Sequence, residues 1–239
     1  MRAFRRKLLA WYARHARDLP WRRTRDPYRV LVSEFMLQQT QVSRVTEYYP
    51  RFLARFPTLE HLARARPKAV REEWDGLGYY ARASNLHALA RVVVRGYEAK
   101  LPDDPAELVK LPGVGRYTAG AVASFAYEKP VPAVDTNVAR VLRRVFLGKR
   151  ETGSGKRHER GDGGRGKGEG YIWDLARSLV PKNGKRAWRF NQAVMELGAR
   201  VCVARKPKCP QCPLVTDCKT GRREEAKRLR GEEAKGRRG

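Results

Sequence analysis

Two carboxyl side chains, one glycine-rich turn and a cluster of cysteines are the parts of this chain whose residue types could do chemistry. Leu111-Pro112-Gly113-Val114-Gly115 reads as a tight turn whose glycines leave backbone amides uncovered, and Arg116 and a run of small residues, Thr118 to Ala123, follow it. A turn directly before a helix N-terminus combines unpaired N–H donors with the positive end of the helix dipole, which suits an anion. Asp135 comes next, just ahead of the apolar-periodic run Val138, Val141, Leu142 and Val145. An aspartate there can cap the helix from Thr136, and a capping carboxylate can still face a ligand. Glu34 stands among the core-like residues Leu31, Phe35 and Met36, although a glutamate on such a helix could also point to solvent. A carboxyl held in an apolar cleft keeps its proton to higher pH and can act as an acid near neutrality. An anion-holding turn followed by one placed carboxylate outlines an enzyme that works on a phosphate-bearing polymer.

The cysteines point to a metal. Cys202, Cys209, Cys212 and Cys218 form a C-x6-C-x2-C-x5-C run within 17 residues. Such crowding favours metal ligation over disulfides. Zinc sites usually pair two short C-x2-4-C elements across a longer gap, whereas a compact run with a single C-x2-C is closer to iron–sulfur ligation. Spacing alone leaves a [4Fe–4S] cluster, zinc and disulfides open, in that order. Lys206, Lys208 and Lys219 surround the loop and make it a phosphate-contacting surface.

Charge agrees with a polyanionic partner. The 239 residues carry a formal net charge of +27. Residues 148–170 hold seven Lys/Arg against four Asp/Glu and residues 219–239 nine against four, which leaves +19 on the rest. A folded body this basic repels itself unless it meets a polyanion, of which nucleic acid is the usual one, although a solvated basic surface has the same composition. Hydrophobic residues are 41%, and no apolar run approaches the roughly 18–20 residues of a membrane span. The basic start, Met1 to Asp18, has no uninterrupted apolar centre and no small-residue cleavage site, so it reads as an amphipathic helix with Phe4, Leu8 and Trp11 on one face. The expectation is an intracellular protein, cytoplasmic and nucleoid-associated, with no signal peptide and no transmembrane segment.

The elements that must position these residues read as all-α. Asp26-Pro27 starts a helix running to Leu37, with Asp26 as cap and proline in the first position. Thr40 is placed to cap the next, whose Val42, Val45, Tyr49 and Phe52 share a face before Pro57. Thr58 starts a short helix, Pro67 to Trp74 forms another, and Gly76-Leu77-Gly78 interrupts before periodicity resumes from Asn85 to Tyr97. Asp104-Pro105-Ala106-Glu107 is spaced as a capping box. Residues 148–170 contain nine glycines in 23 positions and should form a flexible insertion. Helix returns at Tyr171–Val180 and from Trp188 to Val201, and the charged residues 219–239 form a basic tail, helical at most around Arg223–Leu229.

The motifs converge on one resemblance. The LPGVG turn with its flanking helices resembles a helix-hairpin-helix element, and the cysteine loop is similar to the iron–sulfur loop of the endonuclease III-like branch of that superfamily. Within the branch, the run from Ser33 to Val42 (SEFMLQQTQV) resembles the signature of MutY-type adenine DNA glycosylases. Leu19 to Arg22, Gly76 to Arg82 and Phe190 to Ala193 match the same family, and the resemblance spans roughly residues 5–147 and 171–218.

The resemblance implies two helical subdomains with the DNA and base pocket in the cleft between them. One is a six-helix barrel with the hairpin at 24–130, and the other, built from 1–23 and 131–218, holds one [4Fe–4S] cluster on the four cysteines. It implies that Glu34 protonates an extruded adenine, that Asp135 stabilises the cationic sugar, and that Asn137 orients the water or the carboxylate. Endonuclease III-type enzymes keep a nucleophilic lysine where this chain has Tyr117, which forms no Schiff base. The implied reaction is monofunctional glycosylase chemistry on mismatched double-stranded DNA, by a monomer, ending at an abasic site. Tyr117 could also merely pack the hairpin. Gln38 and Tyr79 match wedge positions that fill the gap left by a flipped base. Trp21, Arg22, Leu37, Val42 and Gln192 match the base pocket, and the hairpin residues Leu111, Pro112, Gly113, Val114, Gly115 and Arg116 match DNA contacts. For Trp21, simple core burial is the competing expectation.

Two departures from the family pattern matter. Thr136 stands where relatives often have glycine. Only about 21 residues follow Cys218, too few for the C-terminal domain that reads 8-oxoguanine in full-length MutY-type enzymes. An alternative within the fold is a thymine/uracil glycosylase acting on T:G and U:G mismatches. Those relatives also carry tyrosine at the Tyr117 position but tend to have alanine for Val42 and leucine for Gln192, a residue that offers donor and acceptor to a purine edge. A different class, a DNA-binding or redox-sensing protein without catalysis, would not need both Glu34 and Asp135.

Overall fold

The computed structural model describes residues 1–148, 165–223 and 226, and every regular element among them is helical. The chain divides into two compact units, Met1–Arg17 with Val134–Gly239, and Asp18–Ala133. The first helix, α1 (Arg2–His15), buries Phe4, Leu8, Trp11 and Tyr12, the face read from its spacing plus one further aromatic.

In the Asp18–Ala133 unit, α2 (Pro27–Leu37) begins where the Asp26 carboxylate accepts the Arg29 amide at 2.8 Å. Its flanks are apolar nearly all round, because it packs against several neighbours at once. The next helix, α3 (Val42–Arg55), buries Val45, Tyr49 and Phe52. Thr40 does not cap it: Gln41 precedes the helix without a side-chain cap, and the Thr40 hydroxyl turns back to the Gln38 carbonyl at 3.4 Å. The cause is Gln39, whose φ of 56° folds residues 38–40 into a left-handed turn. Pro50 lies inside α3 and forfeits one helical hydrogen bond.

Thr58 caps α4 (Leu59–Arg64) through the His61 amide, and α5 (Pro67–Glu73) follows. The edge-to-face rings of Phe52, Phe56 and Trp74 form the centre of this core. Helix α6 (Ala81–Gly96) starts four residues before the periodicity suggested. Asp104 caps the short α7 (Pro105–Leu108) by accepting the Ala106 amide at 3.0 Å. Helix α8 (Arg116–Phe125) is built of small residues because α2 and the Pro132 strand of backbone lie close; a side chain at Gly120 would overlap the Pro132 carbonyl.

The other unit continues with α9 (Thr136–Leu142), which passes into a π-helical turn, Arg143–Leu147. Then come α10 (Arg165–Leu179) and α11 (Gly184–Arg200), the latter capped by Asn183 through the Arg186 amide. Helix α11 packs against both α1 and α9. Arg17 clamps the fully buried Glu196 of α11 with two guanidinium bonds of 2.7 and 3.0 Å. Part of the glycine-rich stretch, residues 149–164, and most of the basic tail lie outside the described residues. The start of that tail belongs to the fold: Thr220 is buried and its hydroxyl donates to the Arg144 carbonyl at 3.0 Å. Among the described residues no helix is long and apolar enough to cross a membrane.

Candidate active site

Each unit presents one of the two carboxyls. In the Asp18–Ala133 unit, Glu34 sits in the last turn of α2 and is 3% exposed. The Tyr117 hydroxyl, from the first turn of α8, donates to Glu34 Oε2 at 2.8 Å. The spacing along α2 that buries Leu31 and Phe35 therefore does not send Glu34 to solvent. Tyr117 does more than pack the hairpin, because its phenol fixes one oxygen of the buried carboxyl.

The hairpin holds its own shape. Leu111 and Val114 are buried and anchor the turn, and the Val114 amide donates to the Leu111 carbonyl at 3.1 Å. Gly113 has φ 74°, and a Cβ there would lie 2.7 Å from Cβ of Asn85, so glycine is required by both conformation and space. Gly115 precedes α8 without a side-chain cap, while Gly113, Gly115 and Arg116 are exposed and Pro112 is half-buried. The exposed turn thus lies at the positive end of the α8 dipole, which favours an anion.

The residues matched to a base pocket are spread over several elements. Trp21, in the short 3-10 turn Pro20–Arg22, is buried edge-to-face against Tyr49 at 5.6 Å between ring centroids. Burial pushes the Tyr49 phenol up to about 12, so this neighbour stays protonated. Arg22, Leu37, Gln38 and Val42 are half-buried, and Tyr79 is 62% exposed on a left-handed backbone with φ 47°. Gln192, on α11 of the other unit, is buried.

In the Met1–Arg17 and Val134–Gly239 unit, Asp135 caps α9. Its Oδ1 accepts the Val138 amide at 2.7 Å and its Oδ2 accepts the Asn137 side-chain amide at 2.8 Å. Asn137 is held in turn by Arg140, which donates to Asn137 Oδ1 at 2.6 Å, to the Gly198 carbonyl at 2.8 Å and to the Cys202 carbonyl at 2.8 Å. Gly198 makes the approach possible, since a Cβ there would stand 2.8 Å from Asn137 Cβ. Thr136 fits without a left-handed backbone, as it is not among the residues of positive φ.

The Asp135 network ends at the cysteines. Cys202, Cys209, Cys212 and Cys218 line one common pocket. Arg144 donates to the carbonyls of Val203 and Ala204 at 2.7 and 2.8 Å and approaches Cys202 Sγ at 3.5 Å, and the Gly221 amide donates to Cys218 Sγ at 3.2 Å. Burial pushes the Cys212 thiol up to about 12 and raises that of Cys218. Bare thiolates are therefore disfavoured without a compensating cation. Among the described residues, no three cysteine, histidine, aspartate or glutamate side chains close on a single ion.

Sequence reasoning missed Arg82, Arg140 and Arg144. Each is at least nine-tenths buried and donates to backbone carbonyls far away in sequence, although Arg144 Nε has no hydrogen-bond partner among the described residues. The only local signal was an arginine inside an otherwise apolar helical face.

Comparison with known proteins agrees with this arrangement. An adenine DNA glycosylase of Rattus norvegicus is 45% identical over 231 residues, covering 92% of this chain and 42% of that protein. One of Mycobacterium tuberculosis is 46% identical over 208 residues, covering 87% of this chain and 64% of that protein. The chain thus spans less than two thirds of the length of either relative. Among solved structures, a thermostable thymine-DNA glycosylase superposes with a TM-score of 0.79 at 31% identity, over 93% of this chain and 96% of the other. A trapped endonuclease III–DNA covalent intermediate shares the fold, with a TM-score of 0.74 at 24% identity. Residues 32–161, which include Glu34, the hairpin and Asp135, match the model of the HhH-GPD superfamily base excision DNA repair proteins. With the hairpin and both carboxyls inside that match, the chain belongs to the HhH-GPD superfamily.

Proposed function

We propose that the chain is a monofunctional DNA glycosylase that hydrolyses the N-glycosidic bond of adenine mispaired with guanine or 8-oxoguanine. The observation that carries this reading is the Tyr117–Glu34 hydrogen bond of 2.8 Å. It puts a phenol, which cannot form a Schiff base, against a buried carboxyl at the start of the hairpin helix. With Oε2 engaged by Tyr117, Glu34 is oriented to deliver a proton to the base as it leaves. Asp135, held by a backbone amide and by Asn137, serves as the fixed anion for the positive charge that builds on the sugar. Water completes the reaction and leaves an abasic site, with the phosphodiester strand intact. Gln38 and Tyr79 act as the wedge for base extrusion, and the first amides of α8 with Arg116 grip a phosphate of double-stranded DNA.

The relatives named adenine DNA glycosylases support adenine as the base. The second reading, thymine or uracil opposite guanine, is favoured by the 31% identical thymine-DNA glycosylase. The four cysteines would hold one [4Fe–4S] cluster, a reading supported by their lining one common pocket. Bound there, the cluster supplies a rigid, charge-compensated loop carrying Lys206 and Lys208 beside the DNA backbone.

A panel of duplexes carrying A:8-oxoguanine, A:G, T:G or U:G tests the assignment. Purified chain should release adenine and leave alkali-sensitive sites without cutting the strand. Release of thymine or uracil without adenine would replace the first reading by the second. Tyr117→Lys should create a borohydride-trappable covalent complex and some strand cleavage, neither of which is expected of the unaltered chain. Absorbance near 400 nm with about four irons per chain is expected of the cluster, and stoichiometric zinc in a colourless protein would exclude it.

A further inference from the structure

Gln38 and Tyr79 come from two separate segments, and both segments are conformationally unfavourable. Gln39 has φ 56° and Tyr79 φ 47°, and Tyr79 follows Gly76 and Gly78 at φ 90° and 70°. Non-glycine residues persist in the left-handed region only where surroundings over-determine them. The group that does so is Arg82. Its side chain is 7% exposed, and among the described residues no carboxylate pairs with it. Every guanidinium donor instead meets a backbone carbonyl. Nη1 donates to Phe35, Met36 and Gln38 at 3.0, 2.7 and 2.6 Å. Nη2 donates to Leu77 and Gly78 at 3.1 and 2.9 Å, and Nε to Tyr79 at 3.4 Å.

The choice of residue is against local preference. Arg82 stands in the first turn of α6, where the positive end of the dipole opposes a cation, and burial pulls its pKa down. What stabilises it is the other helix. Carbonyls at the C-terminal end of α2 have no intrahelical partner and carry the negative end of that dipole. The rings of Trp74 and Tyr79 also lie 5.4 and 5.6 Å from its Cζ, and the Trp74 indole shares the Gly78 carbonyl at 3.3 Å. A planar fork with five donors can join two backbone segments in this way, whereas an ammonium with three can meet only some of these carbonyls.

We infer that Arg82 is the positioning residue of the extrusion wedge: one guanidinium locks the end of α2, which carries Glu34 and Gln38, to the Gly76–Tyr79 turn, so that Gln38 and Tyr79 enter the base stack as one rigid pair. The inference rests on the wedge role proposed above for these two side chains. It makes Arg82 act through them and not on the reacting atoms.

The test compares the full chain with its Arg82→Lys and Arg82→Met variants, each with intact 400 nm absorbance. The probes are amide hydrogen exchange and an A:8-oxoguanine duplex bearing 2-aminopurine beside the adenine. In Arg82→Met, exchange at residues 36–40 and 76–80 should accelerate together, the fluorescence rise on binding should disappear, and single-turnover excision should fall about 30-fold while duplex affinity changes by less than about threefold. Arg82→Lys should recover a part of each signal. Acceleration confined to one segment, or a lowered melting temperature with fluorescence and excision intact, would make Arg82 a packing residue and overturn the inference. If the unaltered chain neither flips nor excises a base from any duplex, the wedge reading itself fails; an active parent with unaffected variants would remove only the role of Arg82.

Discussion

Glu34 and Asp135 occupy opposite ends of their helices. Glu34 lies in the last turn of α2, 3% exposed, where the helix dipole is negative and an additional negative charge is poorly accommodated. Asp135 is the N-cap of α9, where the dipole is positive and two N–H donors reach its oxygens at 2.7 and 2.8 Å. The same functional group thus sits once where the dipole disfavours its charge and once where it favours it. In the proposed reaction these placements match two separate needs, a proton for the departing base and an anion for the sugar.

Glu34→Gln gives the largest expected effect. The amide keeps the shape and can still accept from Tyr117, but it has no proton to give. Excision should fall by about 10²–10⁴-fold, the usual worth of a positioned acid, with duplex binding retained in a gel-shift titration. A variant that still turned over at the parental rate would put the acid elsewhere and end the comparison.

Asp135→Asn is next. Asparagine caps as well as aspartate, so the melting temperature should stay close to the parent while excision drops by about 10²–10³-fold through loss of the anion. Asp135→Ala removes the cap as well and should cost about 1 kcal/mol more in stability. If both variants lost stability and activity in the same proportion, Asp135 would be a cap alone.

How much of this was legible beforehand follows from where the determining contacts lie. Asp26, Thr58, Asp104 and Asp135 act on amides two or three residues away, and the sequence marks three of them as caps and Thr58 as a helix start. Glu34 was legible because its apolar neighbours are adjacent on the same helix. Thr40 misled, since a threonine before an apolar run looks like a cap whether or not the preceding residue enters the left-handed region, and Gln39 gives no sign of doing so. The early start of α6 was hidden because Arg82 in its first turn is held by distant carbonyls, and that of α11 because its first turn is polar and opens on the Asn183 cap. Buried arginines were the least legible. Arg82 reaches carbonyls 44 to 47 positions away and Arg140 one 62 positions away, and no local pattern encodes such partners.

Arg140 tests whether the firmer support of Asp135 matters. Arg140→Met leaves α9 its length and apolar packing but removes the donors to Asn137, Gly198 and the Cys202 carbonyl. Losing charge-assisted bonds worth roughly 1.5–3 kcal/mol each, with partial relaxation, should slow excision by about tenfold. Because one of those bonds goes to a cysteine carbonyl, the 400 nm absorbance should also bleach faster in air. A slowed enzyme with an undisturbed chromophore would confine the network to Asp135 and Asn137.

The smallest effect is expected one residue beyond Asp135. The family resemblance leads one to expect glycine where this chain has Thr136, as if the loop needed a backbone only glycine adopts easily. The geometry argues otherwise. Thr136 is the first residue of α9, without positive φ, and Asp135 is oriented by Val138 and Asn137 rather than by its immediate neighbour. Thr136→Gly should therefore cost only about 0.5 kcal/mol, from the extra freedom of the unfolded chain, and leave the excision rate within about twofold by the same argument, since no hydrogen bond to Asp135 is lost. Matched thermal melts and single-turnover assays decide it. A large gain in rate with glycine would show that the threonine side chain obstructs the approach to Asp135, and the contrast drawn with Glu34 would then rest on access as well as on charge.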